Sequence, residues 1–177
     1  MFEQLKKYFE SIKSRDPAAT SLLLVLLTYP GVKAVLFHQI AHFFSVAKFN
    51  LIARVISQFS RFLTGIEIHP KAKIGKNLFI DHGMGVVIGE TSEIESEVSI
   101  FQGVTLGGKG FESGKRHPNI KKGASIFAAS TVLGDITIGE GAIVAAGSLV
   151  LKDVPDNSKI MGYPSINFRD FIRKMEL

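Results

Sequence analysis

Ile120-Lys121-Lys122-Gly123-Ala124-Ser125-Ile126-Phe127-Ala128-Ala129-Ser130-Thr131-Val132-Leu133-Gly134-Asp135-Ile136-Thr137-Ile138 decides the fold of this chain. An aliphatic residue recurs at every sixth position, at Ile120, Ile126, Val132 and Ile138, and then at Val144 and Val150. Toward the N-terminus the same spacing links Ile88, Ile94, Ile100 and Leu106, and before them Ile68, Ile74 and Ile80. A six-residue period fits neither a 3.6-residue helix nor a hairpin strand. It is the hexapeptide signature of a parallel β-helix, in which each short strand gives one aliphatic side chain to a central stack. Small residues follow four positions later, at Ala72, Ser92, Ala124, Ser130, Ala142 and Ser148, and suit the corners of a tight triangular prism. Residues 66–151 supply roughly four to five turns, and Lys152-Asp153-Val154-Pro155 ends the repeat. Flat apolar prism faces favour burial against identical faces, which points to a closed trimer with ligands in the crevice between neighbours.

The spacing breaks twice. Ile80 to Ile88 is two residues too long, within Asp81-His82-Gly83-Met84-Gly85, and Leu106 to Ile120 exceeds two repeats by two residues and contains Arg116-His117. A solenoid accepts insertions only as loops thrown out of its wall, and each of these loops carries a histidine.

Before the repeat the chain reads as helical. Phe2, Leu5, Phe9 and Ile12 form one apolar stripe. Asp16-Pro17 reads as an N-cap and first helical position of a helix reaching Thr28, stopped by Tyr29-Pro30-Gly31. A third helix is expected over about 32–46. A fourth covers about 51–63, with Ala53, Ile56, Phe59 and Leu63 facing inward, and Gly65 ends it. The expected organisation is a helical segment (1–64), a β-helix domain (65–164) and a short C-terminal amphipathic helix (165–177).

Composition narrows the classes. The 177 residues include 21 Lys+Arg against 16 Asp+Glu, a net charge of +5, and are 46% hydrophobic. The positive residues are scattered without a basic block, so no nucleic-acid partner is expected. The absence of cysteine excludes disulfides and thiolate metal sites. The N-terminus lacks a secretory pattern. The longest uncharged stretch, from Pro17 to Val32, is broken by Pro30-Gly31 and falls short of the ~20 apolar residues that span a bilayer. A cytoplasmic, soluble protein without a membrane partner is the expectation, and Leu22 to Leu27 is read as a buried helix.

Several groups could carry chemistry. An imidazole titrates near neutral pH, so His82 can take a proton from a hydroxyl, with a carboxylate such as Glu67, one turn away, holding its other nitrogen. The bland alternative is a surface histidine in a glycine-rich turn. Arg116 can clamp a carboxylate through two parallel hydrogen bonds, or simply belong to a solvated basic loop. Gly107-Gly108-Lys109-Gly110 lets a ligand approach backbone amides, but it lacks the P-loop's following Ser/Thr and helix. His38 and His42 share one helix face among phenylalanines. They are read as packing residues rather than metal ligands, and no metal site is expected.

The strings Arg15-Asp16-Pro17-Ala18-Ala19, Phe37-His38-Gln39-Ile40-Ala41-His42, Thr64-Gly65-Ile66-Glu67-Ile68-His69-Pro70, Ile80-Asp81-His82-Gly83-Met84-Gly85-Val86-Val87-Ile88-Gly89-Glu90-Thr91 and Gly114-Lys115-Arg116-His117-Pro118 resemble serine O-acetyltransferases of the cysteine pathway, members of the hexapeptide acyltransferases. The resemblance covers about residues 15–164. It implies a left-handed parallel β-helix and direct transfer of an acetyl group from acetyl-CoA to the hydroxyl of L-serine. His82 would be the general base, and Glu67 would orient it. Asp16, Asp81, Arg116 and His117 would hold serine. Acetyl-CoA, a co-substrate and not a resident cofactor, would lie along Gly108, Lys109, Ala128 and Ala146. L-cysteine would compete at the serine site, and the assembly would be a homotrimer or a dimer of trimers. The resemblance also raises O-acetylserine sulfhydrylase as a partner. Members that dock onto it typically end in isoleucine, whereas this sequence ends in Leu177, and Phe168, Phe171, Ile172 and Met175 fall on one helix face. Weak or absent binding is therefore expected. Phe127 and the Gly162-Tyr163-Pro164-Ser165-Ile166 stretch depart from the usual pattern.

Two other enzymes and a scaffold share this architecture. A sugar or other small-hydroxyl O-acetyltransferase would need no carboxylate clamp. A β-helical carbonic anhydrase would need three histidines on zinc, and His69, His82 and His117 are spaced poorly for it. A non-enzymatic scaffold would leave both loop histidines unexplained.

Overall fold

The computed structural model describes residues 2–110 and 113–162, apart from the side chains of Phe2, Gln4 and Leu5. The expected C-terminal helix, Leu177, and the stripe positions Phe2 and Leu5 lie outside what it describes. Four helices, α1 (Phe2–Lys13), α2 (Leu22–Thr28), α3 (Pro30–Val46) and α4 (Asn50–Thr64), precede fourteen short strands, β1 (Glu67–Ile68) to β14 (Lys159–Ile160). From β1 to β13 every third strand joins the same parallel sheet, and β14 joins the sheet of β12. Face A is β1-β4-β7-β10-β13, face B is β2-β5-β8-β11, and face C is β3-β6-β9-β12-β14. The chain thus winds around a three-sided prism, a left-handed parallel β-helix. Its axis is filled by the six-residue aliphatic series, buried everywhere except at Ile74, which is partly buried. The corner positions Ala72, Ser92, Ala124, Ser130, Ala142 and Ser148 are all buried, as expected of residues with no room for a larger side chain.

Register measures the insertions. A plain turn advances eighteen residues, as from Ile88 to Leu106, Ile120 to Ile138 and Val132 to Val150. The first break advances twenty, pairing Ile68 with Ile88, so it ejects the two residues read from sequence. The second advances twenty-six, pairing Ile94 with Ile120 and Leu106 with Val132. It ejects eight residues, not two. The pairing leaves no coil position between Leu106 and Ile120, and residue 112, where a further inward aliphatic would fall in sequence, is a glutamate. The coil also continues past Val150. Val154 bridges Ile138 and β14 pairs with β12 at a sixteen-residue advance, so Lys152-Asp153-Val154-Pro155 shortens the last turn instead of ending the repeat.

The helices close the N-terminal end of the prism. Ala34 and Val35 of α3 join the core that contains Ile66 and Ile80. Ser57 donates to the carbonyl of Ile68 at 2.8 Å. Gly31 makes the contact possible, since a Cβ there would fall onto the carbonyl oxygen of Ile80. Arg15 staples α1 to the coil. Its guanidinium donates to the carbonyls of Asn77 (2.7 Å) and Val98 (3.1 Å) and lies over the ring of Phe79.

Three local readings are corrected. Asp16 does not cap a helix: α2 begins at Leu22, and Ser21 caps it by accepting from the Leu24 N–H. In α4 the inward face is Ala53, Ser57, Ser60 and Thr64, while Phe59 and Leu63 are each 52% exposed. Small residues let α4 lie close to β1, and its bulky apolar residues point away. Of the Leu22 to Leu27 run only Val25 is buried, and Leu23, Leu24 and Leu27 are exposed. Among the described residues no single helix is long and apolar enough to cross a membrane.

His38 and His42 pack α3 onto the first turn of the coil. His42 Nδ1 contacts the Pro70 carbonyl at 2.8 Å, and His38 is buried. Burial, reinforced by His42, holds the His38 pKa down to about 4. The unfolded chain therefore binds a proton there that the folded chain refuses, so stability falls as pH drops below the ordinary histidine range. From pH 7 to 5 His38 is expected to cost about 2 kcal/mol, an interval in which ordinary carboxylates stay ionised. Urea unfolding midpoints at the two pH values measure it, and His38→Gln should lose distinctly less over the same interval.

Candidate active site

The ejected loops leave the prism at different edges. Asp81-His82 lies between β3 and β4, at the edge joining faces C and A. The path there is Ile80, an abrupt turn with left-handed backbone at His82 (φ 57°) and Gly83 (φ 76°), and then β4. The turn throws the imidazole outward, where its side chain is 73% exposed. Its Nε2 stands 3.8 Å from Asp81 Oδ2, beyond a hydrogen bond. Glu67, on β1 opposite Val87, makes an ion pair with Arg61 at 3.0 Å, and no hydrogen bond joins it to His82 among the described residues. Ala128 and Ala146 occupy later turns of the same C/A edge, where a backbone ladder (Gly103 to Met84, Ala129 to Gln102, Gly147 to Ala128) stacks the corners. Phe101 and Phe127 stack on this edge with centroids 4.7 Å apart.

Asp16 joins this edge from the helical segment. Its Oδ1 accepts the Ala18 N–H at 2.8 Å, and its Oδ2 accepts the Tyr29 hydroxyl at 2.5 Å. Gly31, two residues after Tyr29, rests on the carbonyl of Ile80, which directly precedes Asp81, so the Tyr29–Asp16 pair stands on the Asp81 side of the coil.

Arg116 and His117 lie elsewhere, at the edge joining faces A and B. Thr91 organises them. Its Oγ1 accepts the backbone N–H groups of Arg116 and His117, each at 3.1 Å, and lies 2.8 Å from His117 Nδ1. With both lone pairs used, the hydroxyl proton goes to Nδ1, which the Thr91 N–H also approaches at 3.3 Å. His117 is therefore the neutral tautomer with its proton on Nε2. Burial, with Arg116 nearby, lowers its pKa and keeps it so. Gly89 and Gly108 leave room for the ring, because a Cβ at Gly89 would overlap it. Gly108 and Lys109 belong to this edge as well, and the Lys109 N–H reaches the Arg116 carbonyl at 3.3 Å. Beneath the loop is a cleft of about 700 Å³ lined by Lys71, Lys73, Glu90, Glu93, Lys115 and Arg116. Lys71 pairs with Glu90 at 2.8 Å and Lys73 with Glu93 at 2.9 Å.

The residues singled out by sequence thus form two half-sites on one chain. Asp16, Asp81, His82, Ala128 and Ala146 share the C/A edge, with Glu67 at the strand beside it. Gly108, Lys109, Arg116 and His117 share the A/B edge. Face A stands between them, and no single chain brings His82 to Arg116. The three histidines weighed for zinc divide in the same way, with His69 and His117 on one edge and His82 on the other. Sequence reasoning missed Thr91, Gly89 and Tyr29. Thr91 and Tyr29 are ordinary turn residues whose partners lie 26 and 13 positions away, so nothing local marks them.

No protein-family model matches the chain. Named relatives do. A serine acetyltransferase of Bacillus subtilis is 57% identical over 163 residues, which is 92% of this chain and 75% of that protein. One from Bacillus pumilus is 56% identical with the same coverage. Among solved structures, a serine acetyltransferase of Neisseria gonorrhoeae superposes with a TM-score of 0.88 at 38% identity. It covers 92% of this chain, which spans 63% of that one. The gonococcal enzyme in complex with serine gives a TM-score of 0.86 at 37% identity, covering 92% and 66%. A serine acetyltransferase in complex with CoA gives 0.85 at 36% identity, covering 92% and 67%. On identity, coverage and shared coil, this chain belongs to the serine acetyltransferase family.

Proposed function

We propose that the protein transfers the acetyl group of acetyl-CoA to the hydroxyl of L-serine, giving O-acetylserine and CoA, at a site completed between two protomers of a trimer. The observation that carries this reading is the division of charges between the edges. Asp81, between β3 and β4, and Asp16, held by Tyr29 beside the start of α3, which rests on β3, supply two carboxylates for an ammonium group. Arg116 at the A/B edge supplies a fork for a carboxylate. A free amino acid carries both groups, and a sugar carries neither. A three-fold arrangement sets the C/A edge of one prism against the A/B edge of the next, which puts the two halves on either side of one crevice.

The exposed His82 faces that crevice. It takes the proton of the serine hydroxyl as the oxygen attacks the thioester carbonyl, and returns it to the departing CoA sulfur. Glu67 orients the imidazole once Arg61 is drawn away or shared. His117, held neutral by Thr91, offers its Nε2–H as a fixed donor to serine. CoA runs along the outer wall, against Ala128 and Ala146 of one protomer and Gly108 and Lys109 of its neighbour. L-cysteine carries the same ammonium and carboxylate groups and fits the serine position as an inhibitor.

Thiol release from acetyl-CoA, followed with a panel of hydroxyl acceptors, tests the activity. Serine should exceed sugars and simple alcohols by orders of magnitude, and equal rates for a sugar would favour the alternative acceptor class. Arg116→Lys keeps the charge but loses the bidentate fork. It should raise the serine KM by about tenfold with the acetyl-CoA KM little changed. Equal weakening of both substrates would place Arg116 on the CoA phosphates instead.

A further inference from the structure

Tyr29 belongs neither to the hexapeptide repeat nor to the acid–base set. It occupies the junction between α2 and α3, ending one helix and preceding the other. Its ring packs against a small core of Ile12, Ala19, Val25, Val32 and Phe79. Phe79 lies on β3, two residues before Asp81, and Gly31 lets the start of α3 rest directly on that strand. The phenol is thus fixed relative to the coil, and its hydroxyl is aimed at Asp16 Oδ2. The other carboxylate oxygen is held by the Ala18 N–H. With one tie to each oxygen the carboxylate cannot rotate. A carboxylate offers about four acceptor sites, so lone pairs remain open after both bonds form. Burial and the bond to Asp16 push the phenol pKa up to about 12, so it remains a donor throughout the physiological range.

Two carboxylates brought together repel each other, and left alone Asp16 would swing into solvent. A neutral donor on Asp16 removes that freedom without supplying a competing positive charge. We propose that Tyr29 is a positioning residue for the amino-acid acceptor, locking the Asp16 carboxylate beside Asp81 so that the pair presents a preformed seat for the α-ammonium group. The inference rests on serine being the acceptor. Tyr29 acts on recognition and not on proton transfer, since its hydroxyl is already committed to Asp16.

Tyr29→Phe removes only the hydroxyl and keeps the ring in its core. The serine KM should rise about five- to tenfold, less than the more than tenfold worth of a hydrogen bond made directly to a charged group because the loss reaches serine only through Asp16, while kcat and the acetyl-CoA KM stay within about twofold. In an Asp16→Asn background the same change should add nothing, because the two side chains act as one unit. With 3-hydroxypropionate, which lacks the ammonium, kcat/KM should be equal in Tyr29→Phe and the unmodified protein. A loss confined to kcat, or a full additional effect in the Asp16→Asn background, would overturn the assignment. So would a Tyr29→Phe variant indistinguishable from the active unmodified protein. If the unmodified protein releases no CoA with serine, the underlying reading fails instead, and the two failures are distinct.

Discussion

Replacing His82 by alanine is expected to lower kcat at least ~100-fold, the usual worth of a positioned general base, with the protein still folded. The structure separates these two effects. His82 stands on an ejected turn, 73% exposed and hydrogen-bonded to nothing among the described residues, so its removal takes little from the packed coil. Its left-handed backbone costs an ordinary residue strain, and alanine carries that cost as histidine does. Thermal unfolding of His82→Ala should therefore match the unmodified protein while turnover collapses. Glu67→Gln should lose less, because the amide keeps the shape of the side chain and Glu67 touches the reaction only through the imidazole it would orient. Near-normal turnover by His82→Ala would remove His82 from the mechanism.

Mixing two inactive variants is expected to restore activity. His82→Ala disables the C/A edge of every protomer, and Arg116→Ala disables the A/B edge. If each site is built from the C/A edge of one protomer and the A/B edge of its neighbour, random trimers from an equal mixture contain intact sites. Such a site forms wherever an Arg116→Ala protomer supplies the histidine and a His82→Ala protomer supplies the arginine. That occurs at about one interface in four, so a co-refolded mixture should recover about a quarter of normal activity. A mixture no more active than its components would mean that each site lies within one chain. That outcome would require a large rearrangement of face A, which separates the two edges here.

The sequence was legible where chemistry repeats at short range. Six-residue spacing needs no long-range information, because each strand must bury one aliphatic side chain on the axis and each corner must stay small. The first ejected loop was sized correctly because both of its flanks are regular. Spacing alone makes the second two residues too long, whereas strand pairing makes it eight, because periodicity cannot tell a missing strand from a longer loop. Helical segments were less legible. Apolar spacing located α3 and α4, but it turned Phe59 and Leu63 inward, whereas close approach to β1 selects the small Ser57, Ser60 and Thr64. Asp16-Pro17 has the form of a helix start, yet the carboxylate is drawn to Tyr29 and the first turn is given to Ser21.

By itself, then, the sequence determined the coil, the two loops that leave it, and the residue types able to bind an amino acid and move a proton. Tertiary structure decided how those residues are grouped. Asp16 is held by Tyr29 on the side of the coil that carries Asp81, Arg116 and His117 are set by Thr91, and the two groups stand on different edges of the prism. Local patterns encode what each residue buries or exposes. Which distant residues share an edge depends on how many residues each turn of the coil consumes, and the loop lengths that set that number emerge only when strands pair.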